Sequence, residues 1–429
     1  MMSSAHKAFA SGPFARIEPL LNGVAVLILA TQFLLWELSR ASFLLLSLAA
    51  LIYVMKYRPQ LPRVQRLYSW PIIVYFAAMF LAVAYDGFTG PGINKLTSRF
   101  FLLLIAIPLV SLFFVSFDPK RNPWTKFVTG TLVMGVLALV DVLILDKYRA
   151  GGGHNEAVFG FGALAMTTIV LASYHRFKNA RFGMAFYLSG LAMGFCAMFL
   201  SGTRSGWIAG IVVIVIAMIF YLDRYSLPKR IFISIVLICA IAAAGLTVPL
   251  VQQRVDNMVE IVTPYLRGEE QTEFNSLRHR VEAWKAAWTM GMSHKVFGIG
   301  PGNFKKSLRA YVRENPHLGR LQYLSHAHNQ YMQTFATSGF IGLGALLVLI
   351  LGHLWLFARY LGRNYSEEVR SLALAGFMLV IAYAIYSIPA VPFYGRHSLM
   401  TYAFSTASIW GCLLGALQGA KLSAPSPAV

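Results

Sequence analysis

The stretch FATSGFIGLGALLVLILGHLWLFA, residues 335–358, contains no aspartate, glutamate, lysine or arginine. Its 24 residues exceed the ~20 that an α-helix needs to cross the hydrocarbon core of a bilayer. A strand of a membrane β-barrel needs only about 10 residues, so this length favours a helix. We therefore interpret the stretch as a transmembrane helix.

The rest of the chain has the composition of a membrane protein. Its 429 residues are 57% hydrophobic and only 13% charged, whereas soluble domains are about 25% charged. Apolar runs between charged breaks predict twelve spans, and only helices satisfy the backbone of such spans in lipid. The predicted spans are residues 20–36, 41–55, 69–85, 99–117, 127–145, 157–174, 182–201, 205–222, 230–251, 335–358, 371–388 and 398–419. The sequence thus predicts an all-α polytopic membrane protein.

These spans divide the chain into four parts. Residues 1–251 hold spans one to nine, and residues 252–334 form one large, partly helical loop. Residues 335–420 hold the last three spans, and residues 421–429 are a tail predicted to be disordered. Residues 1–19 lack the compact apolar core and cleavage site of a removable signal, so the first span is expected to be an uncleaved anchor.

The formal net charge of +20 comes mainly from basic residues in the short segments between the spans. If the N-terminus is cytoplasmic, the short segments on that side hold 19 lysines and arginines, and the short loops on the other side hold 7. This bias satisfies the positive-inside rule. Both termini are therefore predicted to be cytoplasmic, and the basic residues do not indicate nucleic acid as a partner.

The large loop 252–334 contains two predicted amphipathic helices. One begins near Ser276 and places Leu277, Val281, Trp284 and Trp288 on one apolar stripe. The other follows Asn303, and its polar face consists of Lys305, Lys306, Arg309 and Arg313. A basic helix of this kind is suited to an anionic membrane surface.

Four motifs in and near this loop indicate a family. They are SGTRSGW (201–207), RHRVEAWKAAW (278–288), GIGPGNF (298–304) and HAHNQYMQTFATSGFIG (326–342). In the last motif, nine residues separate the pair His328-Asn329 from Gly339, and two more separate Gly339 from Gly342. Together these motifs resemble the O-antigen ligase and polymerase superfamily, and in particular its O-antigen ligases.

The resemblance implies an inverting glycosyltransferase in the lipopolysaccharide pathway of a bacterial inner membrane, with its active site on the periplasmic side. The implied donor is O-antigen glycan on undecaprenyl pyrophosphate, and the implied acceptor is the lipid A core. An O-antigen polymerase that uses the same donor remains the alternative. A transporter is less favoured, because only Asp141 clearly lies within a predicted span, whereas transport sites use several such charges.

We expect no cofactor and no metal. GIGPGNF lacks the lysine and Ser/Thr of a nucleotide-binding loop, and it follows no strand. The histidines lack the clustered carboxylates of a metal site. The expected partners are the lipid-linked donor, the lipid A core acceptor and membrane lipids.

Transfer from a pyrophosphate requires cations for the leaving group and a base for the incoming hydroxyl, and arginine and histidine meet these needs. The predicted catalytic residues are His326, His328, Arg204 and Arg278. The predicted substrate-binding residues are Arg280, Trp284, Asn329, Gln330, Lys305, Lys306, Arg309, Tyr394 and Arg396.

Simpler roles remain open for several of these residues. Arg204 could be a snorkelling loop arginine, and Arg278 could pair with Glu282 one turn further along a helix. Tyr394 and Arg396 could anchor the last turn at the membrane interface. GIGPGNF could be a purely structural turn.

The sequence also suggests which histidine is the base. A helix that begins at Ser325 and continues into the tenth span would separate the two rings, because successive residues differ by about 100°. His326 would then share a polar face with Asn329, Gln330, Gln333 and Thr337. His328 would face Met332, Phe335 and Gly339. This pattern favours His326, although the family resemblance marks His328.

Overall fold

The computed structural model describes residues 36–57, 64–116, 124–153, 155–223, 225–247 and 276–423, together with isolated positions between 252 and 267. These residues form helices joined by turns, and no strand occurs among them. The prediction of an all-α polytopic membrane fold is confirmed. Most of the first predicted span and most of the predicted disordered tail lie outside the described residues.

The helices are numbered in chain order over the described part. They are α1 Trp36–Tyr57, α2 Gln65–Tyr85, α3 Gly90–Lys95, α4 Phe101–Ile105, α5 Ile107–Ser116, α6 Trp124–Leu139, α7 Glu156–Leu171, α8 Tyr174–Phe177, α9 Arg181–Leu200, α10 Arg204–Tyr221, α11 Leu227–Leu246, α12 Ser276–Ser293, α13 Phe304–Glu314, α14 Gln330–Ala358, α15 Glu367–Tyr386 and α16 Arg396–Ser423. Two π-helices, Leu96–Phe100 and Val140–Ile144, and a 3₁₀-helix, Pro316–Tyr323, complete this part of the chain.

Eight helical segments in the described part are long and apolar enough to cross a membrane. They are Gln65–Tyr85, Gly90–Phe113, Trp124–Ile144, Arg181–Leu200, Arg204–Tyr221, Gln330–Ala358, Glu367–Tyr386 and Arg396–Gly419. Each overlaps a predicted span. Helices α1, α7 and α11 coincide with three further predicted spans, 41–55, 157–174 and 230–251. The chain is therefore a multi-pass membrane protein.

Helices α15 and α16 occupy the centre of the bundle. Helix α16 is almost entirely buried and packs against α5 and α15, and α14 packs against α2. On the flank, Gly190 and Gly194 of α9 face Val128 of α6 and Thr167 of α7. A Cβ atom at Gly194 would lie 2.1 Å from the Thr167 hydroxyl oxygen, so these small residues permit the close helix approach common in membranes.

One end of the bundle collects most of the motifs from the sequence. The turns at 86–89, 145–155, 201–203 and 387–395 lie at this end, together with α12, α13 and the start of α14. We call it the loop side. The charge count predicts that it faces the periplasm.

Candidate active site

The histidine motif forms a turn instead of the predicted helix. Helix α14 begins at Gln330, and Asn329 caps it by accepting a 3.0 Å hydrogen bond from the Met332 N–H. His328 has a φ of 52°, in the left-handed region, and Asn329 is extended. The prediction of a helix from Ser325 is therefore wrong, because the left-handed residue turns the chain just before an asparagine cap.

This turn brings the two histidine rings together. Their centroids lie 4.3 Å apart and the planes meet at 66°, so the prediction that a helix separates them is wrong. The His328 backbone N–H donates to Nδ1 of His326 at 3.3 Å. A neutral imidazole that accepts at Nδ1 carries its proton on Nε2. His326 thus presents a donor on its other nitrogen.

The predicted polar stripe of α14 holds this turn in place. The Gln333 Oε1 accepts from the Ala327 N–H at 2.8 Å. Gln330 accepts from the Phe393 N–H at 3.0 Å, and its own N–H donates to the Ser387 carbonyl at 2.8 Å. Gln330 therefore fixes the 387–395 turn, which carries Tyr394, and the amide of Asn329 serves as the helix cap.

Four residues on one side of the histidine pair form what we call the Tyr394 group, namely Lys95, Arg99, Tyr394 and Arg396. The Arg99 guanidinium carbon lies 4.2 Å from the centre of the Tyr394 ring, and the Lys95 Nζ lies 4.8 Å from it. Nε and Nη1 of Arg99 are buried and have no hydrogen-bond partner. Arg99 and Lys95 both interact electrostatically with His326.

Four residues on the other side form the Tyr386 group, namely Arg149, His279, Arg280 and Tyr386. Arg280 and His279 interact electrostatically with His328, and Tyr386 interacts with Arg280 and Arg149. The Arg149 Nε donates to the Ser201 carbonyl at 2.7 Å, which joins the group to the turn before Arg204. Arg280 remains accessible to solvent, yet the protein atoms that crowd it lower its pKa.

Both histidines are neutral at pH 7. Burial lowers the pKa of His326 to about 4, and repulsion from Arg99 and Lys95 adds to this. Burial lowers the pKa of His328 to about 3, with further repulsion from His326, Arg280 and His279. A neutral imidazole flanked by fixed cations is able to exchange a proton with a ligand and to bind negative charge.

Two comparisons with known proteins give matches for this chain. The family model Wzy_C, described as O-antigen ligase, matches residues 189–347. The resemblance to the O-antigen ligase superfamily is confirmed. An uncharacterized protein of Haemophilus influenzae is 23% identical over 320 residues, which are 73% of this chain and 78% of that protein. The Wzy_C match indicates a glycosyltransferase-like or ligase-like enzyme that uses lipid-linked glycans in a membrane environment.

GIGPGNF is a structural turn of the Wzy_C region. Gly298 and Gly300 have φ values of 69° and 89°. The Ile299 N–H donates to the Ala336 carbonyl at 2.9 Å, and the Asn303 amide donates to the Asp86 carboxylate at 2.8 Å. The turn is thus hydrogen-bonded both to α14 and to the loop that precedes α3. Lys95 and Arg99 follow this loop in the chain.

Gly339 of the histidine motif also has a structural role. Gly339 has a φ of 62° and interrupts α14, so that the Phe340 N–H donates to the Lys295 carbonyl at 2.8 Å. A Cβ atom at Gly339 would lie 2.2 Å from the Val296 carbonyl oxygen. Only glycine fits this close approach, which seats the segment after α12 against α14.

The remaining predicted site residues lie around the two groups. Arg204 is the first residue of α10 and directly follows the turn that Arg149 binds. Arg278 is two residues from Arg280 on α12, so its side chain points about 200° away from that of Arg280. Trp284 lies one turn beyond Arg280, and its buried indole N–H has no hydrogen-bond partner.

The predicted basic helix is present as α13. Lys305, Lys306, Arg309 and Arg313 are all exposed on it. Its opposite face, with Phe304, Leu308 and Val312, is buried against α12 and the segment that follows α13. Substrate binding by the basic face of α13 stays a prediction.

Sequence reasoning did not select Lys95, Arg99 or Arg149, which it counted only as loop charges. A usable signal existed for the first two, because Lys95 and Arg99 lie one helical turn apart at the start of a span. Asp141 lies in the second π-helix and accepts hydrogen bonds from the Gly151 and Gly152 N–H groups at 2.9 and 2.7 Å. It therefore shapes the turn that carries Arg149.

Metal ligation has little support among the described residues. No three histidine, cysteine, aspartate or glutamate side chains there lie close enough to hold a metal ion. Metal independence of the reaction stays a prediction.

Proposed function

We propose that this protein is an O-antigen ligase of a bacterial inner membrane. It transfers a glycan from undecaprenyl pyrophosphate to the lipid A core on the periplasmic side, without nucleotide or metal. The observation that supports this proposal is the neutral pair His326 and His328, with cations acting on each ring, within the region that the Wzy_C model matches.

The reaction is a single displacement at the anomeric carbon of the donor. The acceptor hydroxyl oxygen forms a bond to this carbon, and the bond from the carbon to the pyrophosphate oxygen breaks. Undecaprenyl pyrophosphate leaves with the bonding electron pair, and the hydroxyl proton passes to a histidine. Attack from the face opposite the leaving group inverts the anomeric configuration.

We assign the proton acceptor to His328. His326 has Nε2 left as a hydrogen-bond donor, because its Nδ1 already accepts a hydrogen bond from the His328 backbone. His326 is thus suited to orient the acceptor oxygen by donating to it. No hydrogen bond among the described residues uses a ring nitrogen of His328, so its lone pair is available. This reverses the preference that the helical pattern gave to His326.

We place the donor pyrophosphate at the Tyr386 group and the adjacent turn that ends at Arg204. Arg280 and Arg149 supply positive charge there, and such charge stabilises the leaving group as the bond breaks. Burial lowers the pKa of His328 in the free protein, and repulsion from neighbouring groups that include Arg280 adds to this. Bound pyrophosphate offsets the charge of Arg280, so the pKa of His328 rises when the donor is in place, and the histidine becomes a better base.

A reconstituted assay tests this function. The purified protein in liposomes receives lipid-linked O-antigen and lipid A core, with no nucleotide and with divalent metals chelated. Glycan on the lipid A core is the expected product. Longer lipid-linked chains would instead identify a polymerase, and the absence of both products would refute glycan transfer. A tag inserted near Gly268 is expected to report the periplasm, and a cytoplasmic report would refute the orientation.

A further inference from the structure

The Tyr394 group neither accepts the proton nor holds the donor pyrophosphate. It lies beside His326, since Arg99 and Lys95 interact with that ring, whereas Arg280 and His279 of the Tyr386 group interact with His328. The histidine pair therefore has a separate set of cations at each ring. A single pyrophosphate accounts for one set.

Arg99 is the member of this group best suited to bind an anion. Its guanidinium is stacked on Tyr394, and two of its buried nitrogens have no hydrogen-bond partner. Buried donors of a charged group are normally paired, because an unpaired one loses its hydration without compensation. A bound oxyanion would supply the acceptors that Arg99 lacks.

The charges of the Tyr394 group are also uncompensated. Lys95, Arg99 and Arg396 repel one another. None of the three takes part in an ion pair between described residues. Tyr394 itself stays neutral, because burial raises its pKa. An anion would relieve this repulsion as it binds.

We propose that the Tyr394 group binds a phosphate carried by the acceptor, close to the hydroxyl that attacks the donor. This inference rests on the proposed function. In an inverting displacement the acceptor and the leaving pyrophosphate lie on opposite faces of the reacting carbon, and a separate cationic group at each histidine ring is suited to hold the two. All four residues of the group lie outside the residues 189–347 that the family model matches. The Tyr394 group is thus the part of this site that selects an anionic acceptor.

Steady-state kinetics with two acceptors test this proposal. One is lipid A core, and the other is the same material after its phosphates have been removed. With the intact acceptor, Arg99→Gln is expected to raise the acceptor KM roughly 10- to 100-fold, the range for a hydrogen-bonded charge. The donor KM should not change. With the dephosphorylated acceptor, the wild-type protein should already show the raised KM, and Arg99→Gln should add little.

Three further variants keep the test decisive. Arg99→Lys keeps the charge and should restore part of the acceptor affinity, and Arg396→Gln should repeat the effect of Arg99→Gln in smaller measure. Arg66→Gln removes an exposed arginine at the start of α2, at the other end of the bundle, and is the matched control. A melting curve in detergent for each variant separates loss of binding from loss of folding.

Three outcomes would overturn the inference. A raised donor KM in Arg99→Gln would assign the Tyr394 group to the pyrophosphate. An equal loss with both acceptors would mean that Arg99 only positions Tyr394 and His326. Unchanged kinetics with both acceptors would leave the group without a role in binding. If the wild-type protein transfers glycan to neither acceptor, the proposed function fails, which is a separate result.

Discussion

The two ends of the helix bundle use their charged residues differently. At the end opposite the loop side, Glu368 accepts from Trp124 at 3.0 Å and contacts His175 at 2.7 Å, and Asp223 contacts Arg370 at 3.2 Å. At the loop side, Lys95, Arg99, Arg280 and Arg396 enter no ion pair among the described residues.

The pairing of the charged residues distinguishes structural charges from binding charges better than their number does. The sequence assigns the larger number of basic residues to the short loops of the end opposite the loop side, which predicts that this end faces the cytoplasm. There, however, carboxylates neutralise cations and tie helices together. The loop side also has three ion pairs, Lys147–Asp141, Arg149–Glu156 and Lys285–Glu282. The cations Lys95, Arg99 and Arg280, which act on the two histidines, nevertheless have no carboxylate partner among the described residues.

The largest expected effect is at the loop side, on the base. His328→Ala should lower kcat by about 10²- to 10⁴-fold, the usual contribution of general acid–base catalysis. His326→Ala should cost less, because His326 only orients the acceptor oxygen. Single-turnover rates with saturating substrates measure both. A nearly inactive His326→Ala beside an active His328→Ala would reverse the assignment, and two active variants would rule out the mechanism.

The next effect compares one arginine from each end. Arg280→Gln should lower kcat/KM by about 10²-fold, because it removes a cation from the leaving group. Arg370→Gln should leave the donor KM unchanged and lower the melting temperature, since Arg370 pairs with Asp223. Donor titrations and melting curves measure the two quantities. Equal kinetic losses in both variants would contradict the division between the two ends.

A smaller effect is expected when a paired carboxylate is removed. Glu368→Gln should destabilise the protein by about 1–2 kcal/mol, because charged acceptors make the stronger hydrogen bonds. Trp124 and His175 would both lose this acceptor. Denaturant unfolding in detergent measures the change. A change in donor or acceptor KM would show that this end is not purely structural.

The pH dependence follows from the lowered histidine pKa values. Above pH 6.5 the unfolded histidines are neutral, as the folded ones are, and stability is fully present. As pH falls from 6.5 through about 4, the unfolded chain binds protons that folded His326 resists, so stability is lost. The melting temperature should therefore fall over this window, and less so in His326→Asn.

Activity should show a related signature. The acid limb of kcat/KM reports the free protein, so its midpoint should lie well below pH 6.5. The acid limb of kcat reports the complex, in which donor pyrophosphate offsets the cations, so its midpoint should lie closer to 6.5. Identical midpoints would refute the proposal that the donor raises the pKa of His328.

The smallest effect is expected at α13. The double variant Lys305→Glu, Arg309→Glu should weaken acceptor use at low salt, with each basic residue worth about 1 kcal/mol near an anionic surface. The effect should vanish at high salt, because these exposed charges are screened. Acceptor KM measured at several salt concentrations tests this. An acceptor KM that does not change at low salt would leave α13 a structural helix only.

Much of the fold could be predicted from the sequence because its signals are local. The length of an apolar run predicts a span, and periodicity predicted α12 and α13 before the structure placed them. The histidine turn could not be predicted in this way. The direction of this turn depends on the left-handed φ of His328 and on the cap that Asn329 provides. Helical periodicity therefore does not extend from α14 across these two residues.

The sequence by itself determined a helical membrane protein with a large polar loop and motifs of the O-antigen ligase superfamily, because bilayer thickness and motif spacing are properties of the chain alone. The tertiary structure decided which charges meet. Tyr394 is far in sequence from Lys95 and Arg99, and the three lie together because Gln330 fixes the 387–395 turn while the GIGPGNF turn docks beside α3. Contacts between distant segments depend on how whole helices pack, and no local pattern encodes them.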